Sequence, residues 1–266
     1  MKKCAIVGAV VLASLGLGAC GRQSGRSRQQ TRDIAFGQTG QTERPRVWYF
    51  ARSHGQPNAQ TPLRAIVVTQ KGRARAYRVP KSVTLGAAAK LSTSQLKQTG
   101  VAWAKQDFTQ QRRALIKTAQ AELTAERQNL KRNQNATVVS FATIKTDRRV
   151  IANIQRRLGR LQRTQFKQPS SQPFAVTVKQ RGRQETLHVA VDSLVKSSSD
   201  PQVGAYRQMT QPIAPVPYSR VSEQAIQIGS VKLGYYRGPH AGASEYALTR
   251  VERPGDQVKL DTTSVK

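Results

Sequence analysis

Residues 64–79, RAIVVTQKGRARAYRV, decide the fold class of the first part of this chain. Arg64–Gln70 is rich in β-branched residues, and Arg73–Val79 alternates small or apolar residues with basic ones. The Lys71-Gly72 pair between them is a favourable two-residue hairpin turn. Residues 64–79 therefore predict a β-hairpin. A further strand is predicted over Arg46–Ala51, and a turn at Val83–Gly86 closes a β unit over residues 46–90.

From Leu91 the pattern changes to that of helices. Ser92 followed by Gln95 fits a capping box, and no Pro follows until residue 169. A first helix extending to about Asn133 is marked by Leu115, Ala119, Leu123 and Leu130, and a second over Asp147–Gln165 is marked by Ile151, Ile154, Leu158 and Leu161. The intervening residues 136–146 have a strand-like composition but would also serve as a link between two helices.

After residue 166 the alternation typical of strands returns. Phe174, Val176 and Val178 precede a turn at Arg181-Gly182, and Leu187, Val189 and Val191 follow it. Four more short segments are strand-like: residues 225–228, 231–233, 246–251 and 258–260. The chain is thus predicted to be α+β, with an N-terminal β-hairpin unit (46–90), a mainly helical middle segment (91–165) and a C-terminal antiparallel β segment (166–266).

The residues that precede this body have the pattern of an export signal. Met1-Lys2-Lys3 is cationic, and the apolar run Ala5–Leu17 would span only about 20 Å as a helix, too short for a hydrocarbon core of about 30 Å. Leu17-Gly18-Ala19-Cys20 matches the lipobox of bacterial lipoproteins. The resemblance implies that a diacylglyceryl group is attached to the Cys20 sulfur and that residues 1–19 are removed, with Leu17, Gly18 and Ala19 recognised by the signal peptidase.

Two alternatives to the lipobox are an ordinary signal peptide with a chance cysteine and a transmembrane anchor. The cysteine count favours lipidation, because the chain has only Cys4 and Cys20 and the first would leave with the signal. Two acyl chains anchor a protein stably where one is marginal. Residues 20–45, rich in Gln, Arg, Ser, Thr and Gly, then read as a lipidated cysteine and flexible tether.

The complete order of motifs resembles surface lipoproteins of lactic acid bacteria, a family without an assigned activity. The residues that carry this resemblance are Val47-Trp48-Tyr49, Lys71-Gly72, Thr84-Leu85-Gly86 and Leu248-Thr249-Arg250-Val251. The resemblance implies the fold order above and a location at the cell surface. The lack of a periplasmic or outer-membrane motif in the sequence favours a single-membrane bacterium, with the protein on the outer face of its cell membrane.

Charge suggests what such a protein would contact. The full chain carries 44 Lys and Arg against 14 Asp and Glu, a formal net charge of +30. Outside the cell this charge would meet anionic lipid headgroups and wall polymers, so nucleic acid is an unexpected partner. The best candidate surface for polyanion contact is the second helix, with Arg149, Arg156, Arg157, Arg160 and Arg163. The alternative is a core helix with a solvated basic face.

No residue pattern indicates catalysis or a resident metal. His54, His188 and His240 are isolated, and the two Ser-x-x-Lys matches, Ser94–Lys97 and Ser193–Lys196, lack the companion motifs of penicillin-recognising enzymes. We therefore expect a non-enzymatic lipoprotein with no cofactor beyond the lipid on Cys20. The rival hypothesis is an envelope enzyme or accessory subunit whose site is assembled from distant residues. Solute capture for a transporter is disfavoured, because the alternating βαβ units of a two-lobed receptor are missing.

Overall fold

A computed structural model describes residues 32–138, 140–179, 183–196, 206–213 and 216–265. The predicted α+β class is confirmed: strands come first, two long helices lie in the middle, and antiparallel strands follow. The elements are β1 (Asp33–Ile34), α1 (Phe36–Gly40), β2 (Arg46–Ser53), β3 (Leu63–Gln70), β4 (Arg73–Arg78), α2 (Leu85–Ala89), α3 (Thr93–Asn135), α4 (Phe141–Arg163), β5 (Gln172–Pro173), β6 (Ala175–Lys179), β7 (Gln184–His188), β8 (Ala190–Lys196), β9 (Tyr206–Pro212), β10 (Pro217–Tyr218), β11 (Arg220–Val221), β12 (Ile226–Ile228), β13 (Val231–His240), β14 (Ala243–Arg250) and β15 (Gln257–Val258).

One antiparallel sheet joins the two ends of the body. Its order is β11-β13-β14-β2-β3-β4-β5, with β12 also paired to β13, and β14 lies beside β2 with Leu248 opposite Tyr49. The predicted hairpin is confirmed, because β3 and β4 pair from Gln70–Arg73 outward. Lys71 and Gly72 have φ values of 54° and 70°, as a type I′ turn requires.

Both faces of this main sheet are buried, which explains why β2 reads as an almost continuous apolar run. On one face Trp48, Phe50 and Val67 pack with α1 and with residues of β6, β7 and β10. On the other face Tyr49, Ile66 and Leu248 pack against α2 and the start of α3. The protein is therefore a sheet covered by helices on one side and by smaller β elements on the other.

The body begins earlier than the sequence indicated. Residues 20–45 were predicted to be a tether, yet Ile34 and Phe36 are completely buried, and the Phe36 ring lies 4.9 Å from that of Trp48. The cause is the short apolar triplet at 34–36, which inserts into the core once β15 pairs with β1. The tether prediction is thus wrong from residue 32 onward, and residues 20–31 lie outside the described residues, as do the predicted signal peptide and the lipobox residues Leu17, Gly18, Ala19 and Cys20.

Helix α3 begins at the predicted capping box. The Ser92 side chain accepts a hydrogen bond from the Gln95 amide, and the Gln95 side chain accepts one from the Ser92 amide. Gly100 lets the helix approach the sheet, because a Cβ there would lie 2.8 Å from the Tyr77 ring. Among the described residues, no helix has the length and apolar character needed to cross a membrane.

Helices α3 and α4 run antiparallel and form an extended hairpin, here called the helical arm (residues 112–163). Arg112 donates to the Thr164 carbonyl at 2.8 Å, Glu122 pairs with Arg157, and Asn133 donates to Asp147 at 2.8 Å. Helix α4 begins at Phe141, with Ser140 as its N-cap, rather than at residue 147. Of the two interpretations of residues 136–146, the linker is therefore correct, and it is short.

The remaining strands follow the predicted alternation. β6 and β7 pair as a hairpin and extend to β10, while β8 pairs with β9. The predicted turn at Arg181-Gly182 lies outside the described residues. The turn predicted at Val83–Gly86 differs: Thr84 is instead the N-cap of α2, and its hydroxyl accepts a hydrogen bond from the Ala87 amide.

Candidate functional site

Four basic side chains surround a recess at the turn end of the β3–β4 hairpin. The recess has a volume of about 260 Å³ and is lined by Val68, Gln70, Lys71, Arg73, Arg75, Tyr77, Lys97 and Ser171. We call it the basic recess. No carboxylate is among its lining residues, so the positive charge is not neutralised from within.

Two of the four cations have fixed partners at the rim. Lys71 pairs with Glu43 at 2.6 Å, and both side chains are exposed, so this contact is worth little. Arg73 donates to the Ser171 carbonyl at 2.5 Å, which holds its guanidinium in place without cancelling its charge. Arg75 and Lys97 are half-buried and form no ion pair with any described residue.

The sheet and α3 position these groups together. Arg73 and Arg75 alternate with the buried Ala74 and Ala76 and so project from one face of the edge region of the sheet. Lys97 reaches the same recess because α3 packs on Tyr77 through Gly100. Burial raises the pKa of Tyr77, and the nearby Arg75 guanidinium lowers it in part.

The arginines predicted to contact polyanions do not share one environment. Arg149, Arg156, Arg160 and Arg163 are exposed on the helical arm. Arg157 instead faces α3, where it pairs with Glu122, and its side chain is only 14% exposed. Four of the five are therefore available to a ligand, and Arg157 helps to join the two helices.

Sequence reasoning missed the basic recess as a site. The alternation of small and basic residues after Gly72 is its local signal, but that alternation by itself predicts only a strand. Lys97 belongs to a Ser-x-x-Lys match, but Ser94 lies in the first turn of α3 and contacts Ser92, with hydroxyl oxygens 3.0 Å apart. Ser193, of the second match, is buried within β8.

The three histidines occupy separate places. His54 lies within 2.6 Å of the Gly242 carbonyl, and His188 lies within 2.8 Å of the Thr177 hydroxyl. His240 is 3.9 Å from Glu245, a fully buried carboxylate that also binds Arg52 and Arg64, each at 2.6 Å. Within the described parts of the chain, no group of three His, Cys, Asp or Glu side chains is placed to hold a metal ion.

Folding does bring two distant carboxylates together. The Asp261 amide donates to Glu185 at 2.7 Å, and the Asp261 carboxylate accepts hydrogen bonds from the amides of Gly37 and Gln38. Burial, and then the Asp261 carboxylate, raise the pKa of Glu185 to about 8. Burial also raises the pKa of Asp261. Both residues are only 1% exposed, so this pair ties the start of the body to its C-terminal residues rather than facing a ligand.

Comparison of the chain with protein-family models, with curated proteins and with solved structures found no match. The resemblance to surface lipoproteins of lactic acid bacteria therefore rests on the sequence motifs alone and stays a prediction.

Proposed function

We propose that the protein is a membrane-anchored extracytoplasmic lipoprotein, with no enzymatic activity, that binds phosphodiester groups of the cell envelope. The lipid on Cys20 would hold it at the outer face of the membrane, and its basic surface would contact anionic wall polymer or lipid headgroups. The observation that carries the ligand class is the basic recess, where Lys71, Arg73, Arg75 and Lys97 meet without a carboxylate in the lining.

Four cations around one recess favour a ligand with repeated negative charges over an isolated carboxylate. Guanidinium groups bind phosphate oxygens through paired N–H donors, and a lysine adds a mobile point charge. A repeating phosphodiester presents one negative charge after another, so it can use the recess and the exposed arginines of α4 together. Each basic residue near an anionic membrane contributes about 1 kcal/mol. Nucleic acid shares this chemistry but would not be met at the proposed location.

The test measures binding of the mature form, beginning at residue 20 and carrying Cys20→Ser so that no lipid contributes. Soluble poly(glycerol phosphate) and phosphatidylglycerol vesicles are the two probes, and they distinguish wall polymer from headgroups. We expect the logarithm of the association constant to fall linearly with the logarithm of salt concentration. Arg75→Gln with Lys97→Gln should weaken binding by about 30-fold, since two residues contribute about 2 kcal/mol.

The matched control is Lys90→Gln with Arg253→Gln, which removes the same charge from exposed positions outside the recess. An equal loss of affinity in both double variants would mean that diffuse charge binds, not the recess. Binding that ignores salt would contradict the proposal altogether. The anchor is tested separately by mass spectrometry of the mature N-terminus from cells, which should begin at a diacylglyceryl-modified Cys20.

The rival envelope enzyme gains no support from a particular contact. It would need a histidine beside a carboxylate in an open cavity. Among the described residues, His240 lies 3.9 Å from the Glu245 carboxylate, but the Glu245 side chain is 1% exposed and is held by two arginines.

A further inference from the structure

A second cavity, larger than the basic recess, lies apart from it. It has a volume of about 570 Å³, within the range of small-molecule sites, and we call it the side cavity. Its walls come from three places: the outer ends of β3 and β4 with the loop that follows, the middle of α3, and the β8–β9 pair. Backbone bonds fix the first wall, because the Leu63 amide donates to the Val83 carbonyl and the Val79 amide to the Arg64 carbonyl.

The charged groups of the side cavity are unbalanced. Arg64, Arg78 and Lys81 line it, against the single carboxylate of Asp107. Asp107 already pairs with Arg78 at 3.1 Å and accepts a hydrogen bond from Gln111. Lys81 is exposed and pairs with no carboxylate of the described chain.

The positive charge of Arg64 is also only partly neutralised. It pairs with Glu245 at 2.6 Å, but the same Glu245 oxygen lies 2.6 Å from Arg52, so one carboxylate serves two guanidinium groups. The Arg64 side chain is 43% exposed, and part of it remains open to the cavity. An anion that enters the cavity would therefore meet Arg64, which Glu245 holds in place. It would also meet Lys81, whose exposed side chain has no carboxylate partner in the described chain and can bind it.

Apolar side chains also line the cavity. Leu63, Val79, Val191 and Ile213 contribute buried side chains to its lining, and glutamines 110, 111 and 211 add neutral polar groups. A purely inorganic anion would leave these apolar side chains without a partner, and a neutral hydrocarbon would leave the cations unpaired. The lining is complementary to a molecule with one anionic end and an apolar body.

We propose that the side cavity binds a small amphiphilic anion, a carboxylate or phosphate monoester with a short alkyl body, whose charged group lies at Arg64 and Lys81. The alkyl body lies against Val191 and Ile213. This site does not depend on the phosphodiester binding proposed above, because the side cavity and the basic recess share no lining residue.

Isothermal titration calorimetry on the mature Cys20→Ser form tests the site with defined probes. Octanoate and octyl phosphate should bind, and the tighter of the two identifies the preferred charged group. Acetate lacks the apolar body and octyl glucoside lacks the charge, so each should bind at least tenfold more weakly. Lys81→Gln should weaken octanoate binding by about fivefold, as expected for one exposed ion pair.

A second variant keeps the test independent of the charge. Ala114 is exposed on α3 and lines the cavity, so Ala114→Phe should fill it, abolish binding of both octyl probes and leave the thermal unfolding temperature unchanged. Lys117→Gln on an exposed turn of the same helix is the control and should bind like the parent. Octyl glucoside binding as tightly as octanoate, or full affinity in both Lys81→Gln and Ala114→Phe, would overturn the proposal. Loss of poly(glycerol phosphate) binding alone would not affect it.

Discussion

The main sheet and the helical arm differ in how many of their side chains are buried. In the sheet, five consecutive residues of β2, from Val47 to Ala51, are buried, and both faces are covered. In α3 the last buried residue is Ala119, and in α4 the first is Asn153. The tip of the arm, residues 120–152 with residue 139 excepted, thus has no fully buried side chain.

This difference in burial determines where uncompensated positive charge can lie. The sheet excludes water on both sides and can hold few uncompensated cations, so the basic residues near it sit at its edges or ends, as in the basic recess. The arm tip keeps its helices together by half-buried contacts and by bonds such as Asn133 to Asp147. Such a pair of helices tolerates exposed arginines at little cost, because their charges remain solvated.

The largest expected loss of stability is at Trp48, in the core where the first and last elements of the body pack on the sheet. Trp48 is fully buried and its ring lies 4.9 Å from Phe36 and 5.3 Å from Tyr236, so Trp48→Ala should lower the free energy of unfolding by about 3–5 kcal/mol. Urea unfolding followed by circular dichroism measures this loss. Trp48→Phe keeps more of the contact and should lose clearly less. Equal losses in the two variants would mean that the ring volume at this position does not support the core.

The second expected effect is a pH dependence of the free energy of unfolding, which arises at Glu185, outside the helical arm. Because the pKa of Glu185 is raised from its usual 4.5 to about 8, the folded protein keeps this proton over a pH range in which the unfolded chain has lost it. The free energy of unfolding should therefore fall as pH rises from about 4.5 through 8, by up to about 1.4 kcal/mol per pH unit. Glu185→Gln, which stays neutral and can still accept from the Asp261 amide, should remove that part of the slope.

The control for the pH effect is Glu223→Gln, an exposed position that should leave the slope unchanged. Asp107 and Asp261 also have raised pKa values and add to the same trend, so the informative quantity is the difference between the parent and Glu185→Gln. If both variants follow the parent from pH 5 to 8, Glu185 is ionised in the folded protein and its assigned role is wrong.

The elements that the sequence predicted are those whose signals are local. The Lys71-Gly72 turn and the Ser92–Gln95 capping box each need only four to six neighbouring residues, and both occur as expected. The two long helices follow from sustained periodicity, although α4 begins at Phe141, six residues before the predicted Asp147, because Ser140 caps it. The α+β class follows from the order of these elements.

The parts that could not be predicted depend on contacts between residues far apart in the chain. Ile34-Ala35-Phe36 is too short to show a period, and its stabilising partners are distant: the Phe36 amide donates to Tyr236, and Asp261 binds Gly37. The candidate site behaves in the same way. Arg73 and Arg75 alternate visibly in the sequence, but only the packing of Gly100 on Tyr77 brings Lys97 to them.

The smallest expected loss of stability is that of Ile151→Ala in the arm tip. Comparing it with the same substitution at Ile66 in the sheet tests the difference between the two regions most directly. Ile66 is fully buried in the sheet and Ile151 is half-buried in the arm tip. Ile66→Ala should cost about 2–5 kcal/mol of unfolding free energy, whereas Ile151→Ala should cost about 1 kcal/mol or less. Hydrogen exchange adds a local measurement: Ile151→Ala should speed amide exchange within residues 120–152 and leave β2 and β3 protected, because the tip can open without the sheet. If Ile151→Ala destabilised the protein as much as Ile66→Ala, or sped exchange in the sheet, the arm and the sheet would form one cooperative core.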